Sequence, residues 1–373
     1  MAREGLAAVL NAPGEDVAVE EILLDSPGPG EVQVRLAASG VCHTDLTVKN
    51  QNGAGMKFPI VLGHEGAGWV EEVGEGVTHV QPGDPVVIAY RAPCGQCPAC
   101  RRGDPRHCYM ALRPGIRLHR KRDGAPCSQV LRCGTFATHT NVHGAAAIKM
   151  PPGMPLDKAC LIACGVITGV GAAFNTSPVF PGASVAVVGC GGVGLSVIQG
   201  AKLANARQII GVDVNPVKLD WARKFGATDV VDARAGDPVA AVRALVKDPW
   251  PAYEGGVDFA YEATGRMECI EQAVRMVNYN GIATTIGFPG PDDTVTLNVG
   301  NIDTGVYWNK VNLRVCHAGD TLPSWDFPLL AQFYLEGKLD LDSMVTGVIS
   351  LSDVEQAFHA MEHENVIRSV IRF

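Results

Sequence analysis

Short apolar segments alternate with segments of helical periodicity through the middle of the chain. The apolar segments are residues 184–189, 208–213, 226–231, 256–261 and 281–287. They predict buried strands, because strands covered on both faces are nearly continuous in apolar residues. Residues 195–203 and 218–225 lie between them and predict helices. Strands that alternate with helices indicate a parallel, doubly wound sheet, so the expected fold class is α/β.

Residues 6–89 have a different pattern, in which short strands are divided by glycine and proline turns. Residues 31–36 alternate polar and apolar side chains, which is typical of a half-buried strand. The Pro-Gly-Pro-Gly sequence at 27–30 is the clearest turn signal before it. We expect the tail of the chain to pack back onto this β-rich part. The predicted organisation is one discontinuous domain, residues 1–164 with 317–373, and a second domain at residues 165–316.

The charge of the chain argues against a nucleic-acid partner. Its 373 residues include 31 Lys and Arg against 39 Asp and Glu, for a formal net charge of −8, whereas nucleic-acid binding needs clustered basic residues. The N-terminus lacks the long apolar core of a signal peptide, which predicts a cytoplasmic protein. Residues 159–201 carry no charge but hold nine glycines and two prolines. They predict buried structure and no membrane span.

Four closely spaced cysteines give the clearest metal signal: Cys94, Cys97, Cys100 and Cys108. In a cytoplasmic protein, clustered cysteines indicate metal binding more often than disulfides. Two-residue gaps let successive thiolates face one centre, and Zn²⁺ accepts four sulfurs tetrahedrally. Such a site has no vacant position, so the spacing predicts a structural ion. An iron–sulfur cluster and a set of cysteines without metal, reduced or disulfide-paired, are the alternatives.

A glycine-rich turn follows the first strand of the predicted parallel sheet. Residues 189–194 read Gly-Cys-Gly-Gly-Val-Gly, and Asp213 ends the next strand. The pattern predicts a dinucleotide site, because the glycines let a pyrophosphate approach the helix N-terminus. Asp213 would accept hydrogen bonds from the adenosine ribose and repel a 2′-phosphate, which favours NAD(H) over NADP(H). A glycine turn without a ligand is the alternative. The predicted contacts are Gly189, Gly191, Gly192, Val193, Gly194 and Asp213.

Three further candidate ligands are far apart in the sequence. Cys42 follows one predicted strand, His64 follows another, and Cys164 precedes the nucleotide-binding segment. Two thiolates and one imidazole would leave zinc one open position for water or substrate. Spacing alone does not bring the three together, so ordinary core residues remain the alternative on local sequence.

The order of these motifs resembles a known family. Gly63-His64-Glu65, followed by Gly68, Gly74 and Val77, matches the signature of the zinc-containing alcohol dehydrogenases of the medium-chain dehydrogenase/reductase family. The four cysteines, the glycine turn and Asp213 follow in the same order, and the similarity covers nearly the whole chain. The resemblance implies a GroES-like, zinc-binding catalytic domain and a Rossmann domain for NAD(H). It also implies two zinc ions per chain, one catalytic and one structural.

The same resemblance assigns roles around the open zinc site. Cys42, His64 and Cys164 would hold the catalytic ion, Glu65 would assist ligand exchange, and Asp45 would orient His64. A substrate hydroxyl would enter the open position and ionise there near neutral pH. Its carbinol carbon would then release hydride to the nicotinamide. The resemblance further places Thr44 as acceptor of the hydroxyl proton, Thr168 and Val193 against the nicotinamide, His43 and Arg368 at the pyrophosphate, and Lys218 at the adenosine ribose.

Three features depart from the family pattern. Thr47 stands where many relatives carry the histidine that ends the proton relay, and His317 stands where an aromatic or apolar residue is common. Residues 109–135 are also strongly basic, with Asp123 as their one acidic residue. This segment could recognise an anionic substrate carrier or form a solvated basic loop. Its basic residues are Arg113, Arg117, Arg120, Lys121, Arg122 and Arg132.

Several stretches look most similar to actinobacterial members of the family, some of which act on the hydroxymethyl thioether of mycothiol. These stretches are residues 91–97, 172–176, 326–328 and 351–373. The expected function is reversible oxidation of a primary alcohol to an aldehyde with NAD. The alternatives are an S-(hydroxymethyl)mycothiol or S-(hydroxymethyl)glutathione dehydrogenase, a nicotinoprotein with tightly bound cofactor, and a non-catalytic, zinc-stabilised dinucleotide sensor. The resemblance also implies a homo-oligomer, a dimer or tetramer, assembled around residues 298–313.

Overall fold

The computed structural model describes residues 2–50, 56–110, 112–246, 255–290, 292–303 and 305–373. The chain divides into two compact units. The first unit is Met1–Cys164 with Leu322–Phe373, and the second is Gly165–Thr321. The sequence predicts a slightly earlier return to the first unit, at residue 317.

Strands are the main regular secondary structure of the first unit, and they form the sheet of the second. In the described residues they are β1 (Arg3–Leu10), β2 (Ala18–Leu24), β3 (Glu31–Gly40), β4 (Ile60–Val61), β5 (Glu65–Val73), β6 (Pro85–Ile88), β7 (Leu118–Arg120), β8 (Ser128–Gln129), β9 (His139–His143), β10 (Ala147–Lys149), β11 (Ser184–Val188), β12 (Gln208–Asp213), β13 (Asp229–Asp232), β14 (Val257–Glu262), β15 (Val277–Thr285), β16 (Asn312–Val315), β17 (Val345–Ile349) and β18 (Arg368–Arg372).

The α-helices are distributed over both units. Within the described part of the chain they are α1 (His43–Asn50), α2 (Pro98–Arg101), α3 (Leu156–Ala159), α4 (Gly165–Gly171), α5 (Gly192–Leu203), α6 (Pro216–Phe225), α7 (Pro238–Leu245), α8 (Met267–Met276), α9 (Pro323–Leu335) and α10 (Val354–His363).

Two sheets form the first unit. One has the strand order β7-β2-β1-β4-β8, and the other has the order β10-β6-β5-β3-β18-β17, with β9 also paired to β3. The tail joins the second sheet, since β18 pairs antiparallel with β3 and Val370 lies opposite Gly40. Residues from both ends of the chain therefore build this unit. Its buried clusters include Phe136 of the N-terminal part and Phe358 of the tail.

The second unit is a six-stranded sheet in the order β13-β12-β11-β14-β15-β16. Every neighbouring pair is parallel, and the order is that of a doubly wound, dinucleotide-binding sheet, so the predicted α/β fold class is confirmed. The central strand β11 is buried along its whole length, as its continuous apolar sequence predicts.

Local sequence signals account for the ends of the helices around this sheet. Helix α6 begins where the side chain of Asn215 accepts a hydrogen bond from the Val217 N–H, with Pro216 at the first helical position. It ends at Gly226, whose φ of +124° suits glycine. Helix α7 begins in the same way, with Asp237 accepting a hydrogen bond from the Val239 N–H. These capping residues determine where α6 begins and ends and where α7 begins.

In the part of the chain that the structure describes, no single helix is long and apolar enough to cross a membrane. Two consecutive helical segments, Leu156–Ala163 and Gly165–Thr176, are together long and apolar enough for a membrane span, but the angle between them is 56°.

Candidate active site

The glycine turn between β11 and α5 has the geometry that an anion site requires. Gly189 has a φ of +91°, a conformation that favours glycine. A side chain at Gly194 would collide with the carbonyl oxygen of Gly189. The helix can begin this close to the end of the strand because residue 194 is a glycine. A Cβ on Gly191 would meet nothing within 4 Å. The turn therefore leaves space in front of the N-terminus of α5, where backbone N–H groups favour a phosphate.

Asp213 lies at the end of β12 and faces this turn. Its Oδ2 accepts the Cys190 N–H at 2.8 Å, and its Oδ1 accepts the Asn215 N–H at 2.9 Å. These two bonds hold the carboxylate beside the glycine turn, as expected for a residue that would bind a ribose. Lys218 follows in the first turn of α6 and is half-buried.

The structure also brings the predicted nicotinamide contacts toward each other. Thr168 lies in α4, and Val193 lies in the first turn of α5. A Cβ on Gly169, next to Thr168, would collide with the carbonyl oxygen of Val193. The two helices therefore approach closely at this point because Gly169 has no side chain.

The second unit also contains His317, the second departure from the family pattern. His317 is exposed and follows directly after Cys316, which is buried. The backbone then takes three consecutive positive φ angles, at residues 318–320. The nearness of His317 to a bound nicotinamide stays a prediction.

Cys42, His64 and Cys164 converge in the first unit, although 122 positions separate the first from the last. Cys42 lies between β3 and α1, His64 precedes β5, and Cys164 precedes α4. One ligand atom from each of the three, together with a carboxylate oxygen of Glu65, lies within 4.8 Å of all the others. The ends of β3 and β5 supply Cys42 and His64, and the turn before α4 supplies Cys164.

His64 is oriented for metal binding through one ring nitrogen. Its Nδ1–H donates to Oδ1 of Asp45 at 3.3 Å, and the same oxygen accepts the Gly63 N–H at 2.8 Å. Both side chains are completely buried. Among the described residues, Nε2 of His64 has no hydrogen-bond partner. A buried ring nitrogen without a partner, facing two thiols, fits a metal ion well, and a carboxylate on the opposite nitrogen is the usual support for such a ligand.

Glu65 and Arg368 form a buried ion pair beside the ligand set. The guanidinium of Arg368 donates to Oε1 of Glu65, and both side chains are at most 8% exposed. Arg368 begins β18, so the tail of the chain supplies this positive charge. Because the guanidinium is directed at Glu65, the predicted contact of Arg368 with a pyrophosphate is not visible in this arrangement and stays a prediction.

Burial and charge shift the pKa values of this cluster in both directions. Burial raises the pKa of Glu65 to about 7, although the Arg368 guanidinium opposes the rise. A hydrogen bond from the Cys164 thiol lowers the pKa of Cys42 well below its usual range. Burial disfavours the cationic form of His64, but the charges of Asp45 and Cys42 outweigh it and raise its pKa. The hydrogen bond with Cys42 and burial together raise the pKa of Cys164. Such opposite shifts within one buried group of ionisable side chains are typical of functional sites.

Helix α1 carries the residues predicted to act on the substrate proton and the cofactor. The hydroxyl oxygen of Thr44 lies 3.7 Å from Sγ of Cys42, so it borders the ligand set directly. His43 is exposed, and Thr47, one turn after His43, is half-buried. A hydroxyl beside a metal ligand is well placed to exchange a proton with a group bound to that metal.

Tyr90 is a site residue that the sequence analysis missed. Its ring packs edge-on against His64, with the ring centroids 5.7 Å apart. Burial raises the pKa of Tyr90 well above its usual value, and the nearby Cys164 and Cys42 raise it further. No local motif marks Tyr90, because it follows an ordinary strand, β6. Only the pairing of β6 with β5 brings it to the metal ligands.

The four-cysteine lobe is a second, closed ligand set. One ligand atom of each cysteine lies within 4.8 Å of the others, and the Sγ atoms of Cys97 and Cys108 are 3.9 Å apart. A tetrahedral ion with zinc–sulfur bonds of about 2.3 Å has sulfur–sulfur edges of about 3.8 Å. Backbone N–H groups point at the sulfurs, and that of Cys100 lowers the pKa of Cys97 to about 6. Because all twelve cysteines are free thiols, the disulfide alternative has no support.

The basic segment after this lobe is largely neutralised. Four of its six basic side chains form ion pairs with carboxylates of the early strands or of the same turn. The pairs are Arg117–Glu31, Arg120–Asp123, Lys121–Glu4 and Arg122–Glu20. This pairing favours a structural loop over the recognition of an anionic carrier by the whole segment.

Comparison with known proteins agrees with this geometry. The alcohol dehydrogenase GroES-like domain matches residues 28–152, and the zinc-binding dehydrogenase domain matches residues 192–333. The first match falls on the unit that contains both ligand sets. The second begins within the glycine turn and covers most of the parallel sheet.

Similar proteins extend over almost the entire chain. It is 38% identical to an alcohol dehydrogenase class-3 from Cereibacter sphaeroides, with 98% of this chain and 99% of the relative covered. It is 36% identical to an S-(hydroxymethyl)glutathione dehydrogenase from Escherichia coli, with the same coverage. The crystal structure of benzyl alcohol dehydrogenase from Acinetobacter calcoaceticus has a TM-score of 0.90 at 29% identity and covers 100% of this chain and 99% of its own. The chain therefore belongs to the zinc-containing alcohol dehydrogenases of the medium-chain dehydrogenase/reductase family.

Proposed function

We propose that this protein oxidises a primary alcohol to the aldehyde, with NAD⁺ reduced to NADH and one proton released. The observation that carries the proposal is the three-ligand set of Cys42, His64 and Cys164 with the Thr44 hydroxyl beside it. Three protein ligands are typical of a catalytic zinc site, which keeps a position for substrate. A non-catalytic dinucleotide sensor would have no use for such a position.

The buried residues around the ligands would each have a separate task. When bound, zinc supplies Lewis acidity toward a hydroxyl, and NAD⁺ supplies a hydride acceptor. Thr44 would take the proton that the hydroxyl loses. Asp45 holds His64 in the tautomer that leaves Nε2 as a ligand. Glu65, balanced by Arg368, lies close enough to the thiols to assist the exchange of water and alcohol.

The second unit supports NAD(H) as the cofactor. The open turn at Gly191 would accept the pyrophosphate, with Gly189, Gly192, Val193 and Gly194 shaping it. Asp213, held by the N–H groups of Cys190 and Asn215, would bind the ribose hydroxyls and repel a 2′-phosphate. Further contacts proposed on the family resemblance come from Thr168, Lys218, His43 and Arg368.

Replacing Asp213 by alanine is expected to lower kcat/KM for NAD⁺ by about 10–100-fold, because a hydrogen bond to a charged group contributes about 1.5–3 kcal/mol. The value for NADP⁺ should stay constant or rise. Initial rates with both cofactors measure this change, and Asp220→Asn on the exposed side of α6 is the control. An unchanged preference for NAD⁺ over NADP⁺ would show that Asp213 does not bind the adenosine ribose.

A thiol adduct is the second candidate substrate. The similarity to a relative named S-(hydroxymethyl)glutathione dehydrogenase favours it, because the hydroxymethyl group of such an adduct is itself a primary alcohol. The chemistry at the metal would be the same, and the substrates would differ in the group attached to the carbinol carbon.

NADH absorbance at saturating NAD⁺ tests both candidates. The purified protein would be incubated with a panel of primary alcohols, including benzyl alcohol, and then with formaldehyde plus glutathione or mycothiol. NADH formation with alcohols alone supports the first substrate class, and formation only with formaldehyde plus a thiol supports the second. If neither produces NADH but an added electron acceptor is reduced, the protein is a nicotinoprotein. No turnover under any condition contradicts the proposed function.

We further propose that the chain forms a homo-oligomer through the β16 edge of the parallel sheet. All four residues of β16 are exposed, and Leu313 and Val315 present apolar side chains. Tyr307 and Trp308, just before it, are also exposed. An exposed edge strand with apolar neighbours favours pairing with a second copy. Light scattering gives the number of subunits. Residue 304 of this predicted interface lies outside the described residues.

The cytoplasmic location of the protein stays a prediction.

A further inference from the structure

We propose that His359 and His363 form a surface site for a transition-metal ion, separate from both cysteine-containing sites. The two residues lie four positions apart on α10, and their ring centroids are 4.5 Å apart. Both are exposed to solvent. Side chains at positions i and i+4 of a helix are neighbours, and two histidines at this spacing on one helical face can bind the same ion.

The surroundings of the two rings favour a cation. Both histidines belong to the C-terminal half of α10, where the unpaired carbonyl groups carry partial negative charge. Glu362 and Glu364 adjoin His363 in the sequence and are exposed, so they add negative charge at this end of the helix. The helix contains no Lys or Arg. The ammonium of Lys49 pairs with Glu355 in the first turn, 2.5 Å from its Oε2, and lies 6.0 Å from the ring centroid of Phe358. A carboxylate therefore balances this positive charge one turn before His359.

The ligand type selects the class of ion. Imidazole nitrogen suits Zn²⁺, Cu²⁺ and Ni²⁺, whereas Mg²⁺ and Ca²⁺ prefer oxygen ligands. Two imidazoles leave the remaining coordination positions to water, so we expect weaker binding than at the three-ligand and four-cysteine sets. Affinity should rise from Zn²⁺ or Ni²⁺ to Cu²⁺. In excess zinc, the chain would therefore hold one more ion than its two family sites account for.

Calorimetric titration of the zinc-loaded full-length protein with NiCl₂ tests the site, since Ni²⁺ prefers imidazole and does not oxidise thiols. We expect one additional ion per chain in the wild type. His359→Gln and His363→Gln should each weaken this binding at least about tenfold, because loss of one ligand exceeds the loss of an outer hydrogen bond. His79→Gln is the control, because His79 is exposed but its Nε2 lies 3.0 Å from the carbonyl oxygen of Gly144.

Two outcomes would overturn the proposal. One is the absence of an additional Ni²⁺ ion at millimolar concentration in the wild type. The other is unchanged Ni²⁺ binding in the His359→Gln/His363→Gln double variant, which would place the ion elsewhere. Circular dichroism of the variants verifies that α10 is intact, and both side chains are exposed, so their replacement leaves the core of the unit unchanged. Turnover of alcohol is not needed for any of these readouts.

Discussion

Replacing Cys164 by alanine is expected to lower the zinc content from about two ions per chain to about one. It should also reduce kcat for alcohol oxidation at least about a thousandfold, since Lewis acidity contributes several kcal/mol to such a reaction. The remaining Cys42 and His64 would form an incomplete set, and Nε2 of His64 would stay buried without a partner. Metal analysis by mass spectrometry and initial rates of NADH formation measure the two effects.

Cys160→Ala is the matched control for this change. Cys160 is completely buried and lies four residues before Cys164, but it does not belong to the ligand set. Its replacement removes a similar volume and should leave about two zinc ions per chain and most of the activity. Retention of two ions and nearly normal kcat in Cys164→Ala would contradict the assignment of Cys164 as a ligand.

Replacing Cys100 by alanine should destabilise the protein without a direct effect on the chemistry. Binding of a structural zinc ion is coupled to folding and contributes about 10–16 kcal/mol in small zinc domains. In a larger unit we expect only part of this loss, several kcal/mol, which corresponds to roughly 10 °C or more in the thermal midpoint. Calorimetry of the wild type and the variant gives the shift, and the zinc content should fall by one ion.

A comparison with Cys127→Ala separates metal loss from simple cavity formation. Cys127 is buried in a neighbouring cluster of the same unit, outside both ligand sets. Truncating it should lower the free energy of unfolding by about 1 kcal/mol and leave the zinc content unchanged. An equal loss of stability in the two variants would indicate that the four-cysteine lobe holds no structural ion.

Most of the parallel sheet could be predicted from local sequence. The predicted strands at 184–189 and 208–213 agree with β11 and β12 to within one residue, because both are apolar and bounded by turn residues. Three boundaries were less accurate. Strand β13 begins at Asp229, three residues after the predicted start. Helix α5 begins at Gly192, three residues before the predicted start, because its first turn consists of glycines and valine without helical periodicity. Strand β15 begins at Val277, four residues before the predicted start, because Asn278, Tyr279 and Asn280 interrupt the run of apolar residues that predicts a buried strand.

The catalytic ligand set could be proposed from resemblance but not from spacing. Cys42, His64 and Cys164 meet only because the sheet of the first unit brings three loops to one place. The ion pair of Glu65 with Arg368 joins residues 303 positions apart, and neither residue has a local signal for the other. Three of the four carboxylates that pair with the basic segment lie on β1, β2 and β3, so its charge could not be judged from residues 109–135 alone.

The pairing of β18 with β3 also has a consequence for synthesis. β3 is complete after residue 40, but its neighbour β18 begins only at Arg368. The residues up to β18 must therefore be synthesised before β3 can pair with that strand in the second sheet of the first unit. The parallel sheet of the second unit is complete about 50 residues earlier, so it can fold first, since domains generally fold as units during synthesis. Until Arg368 has been synthesised, Glu65 has no guanidinium to balance its charge.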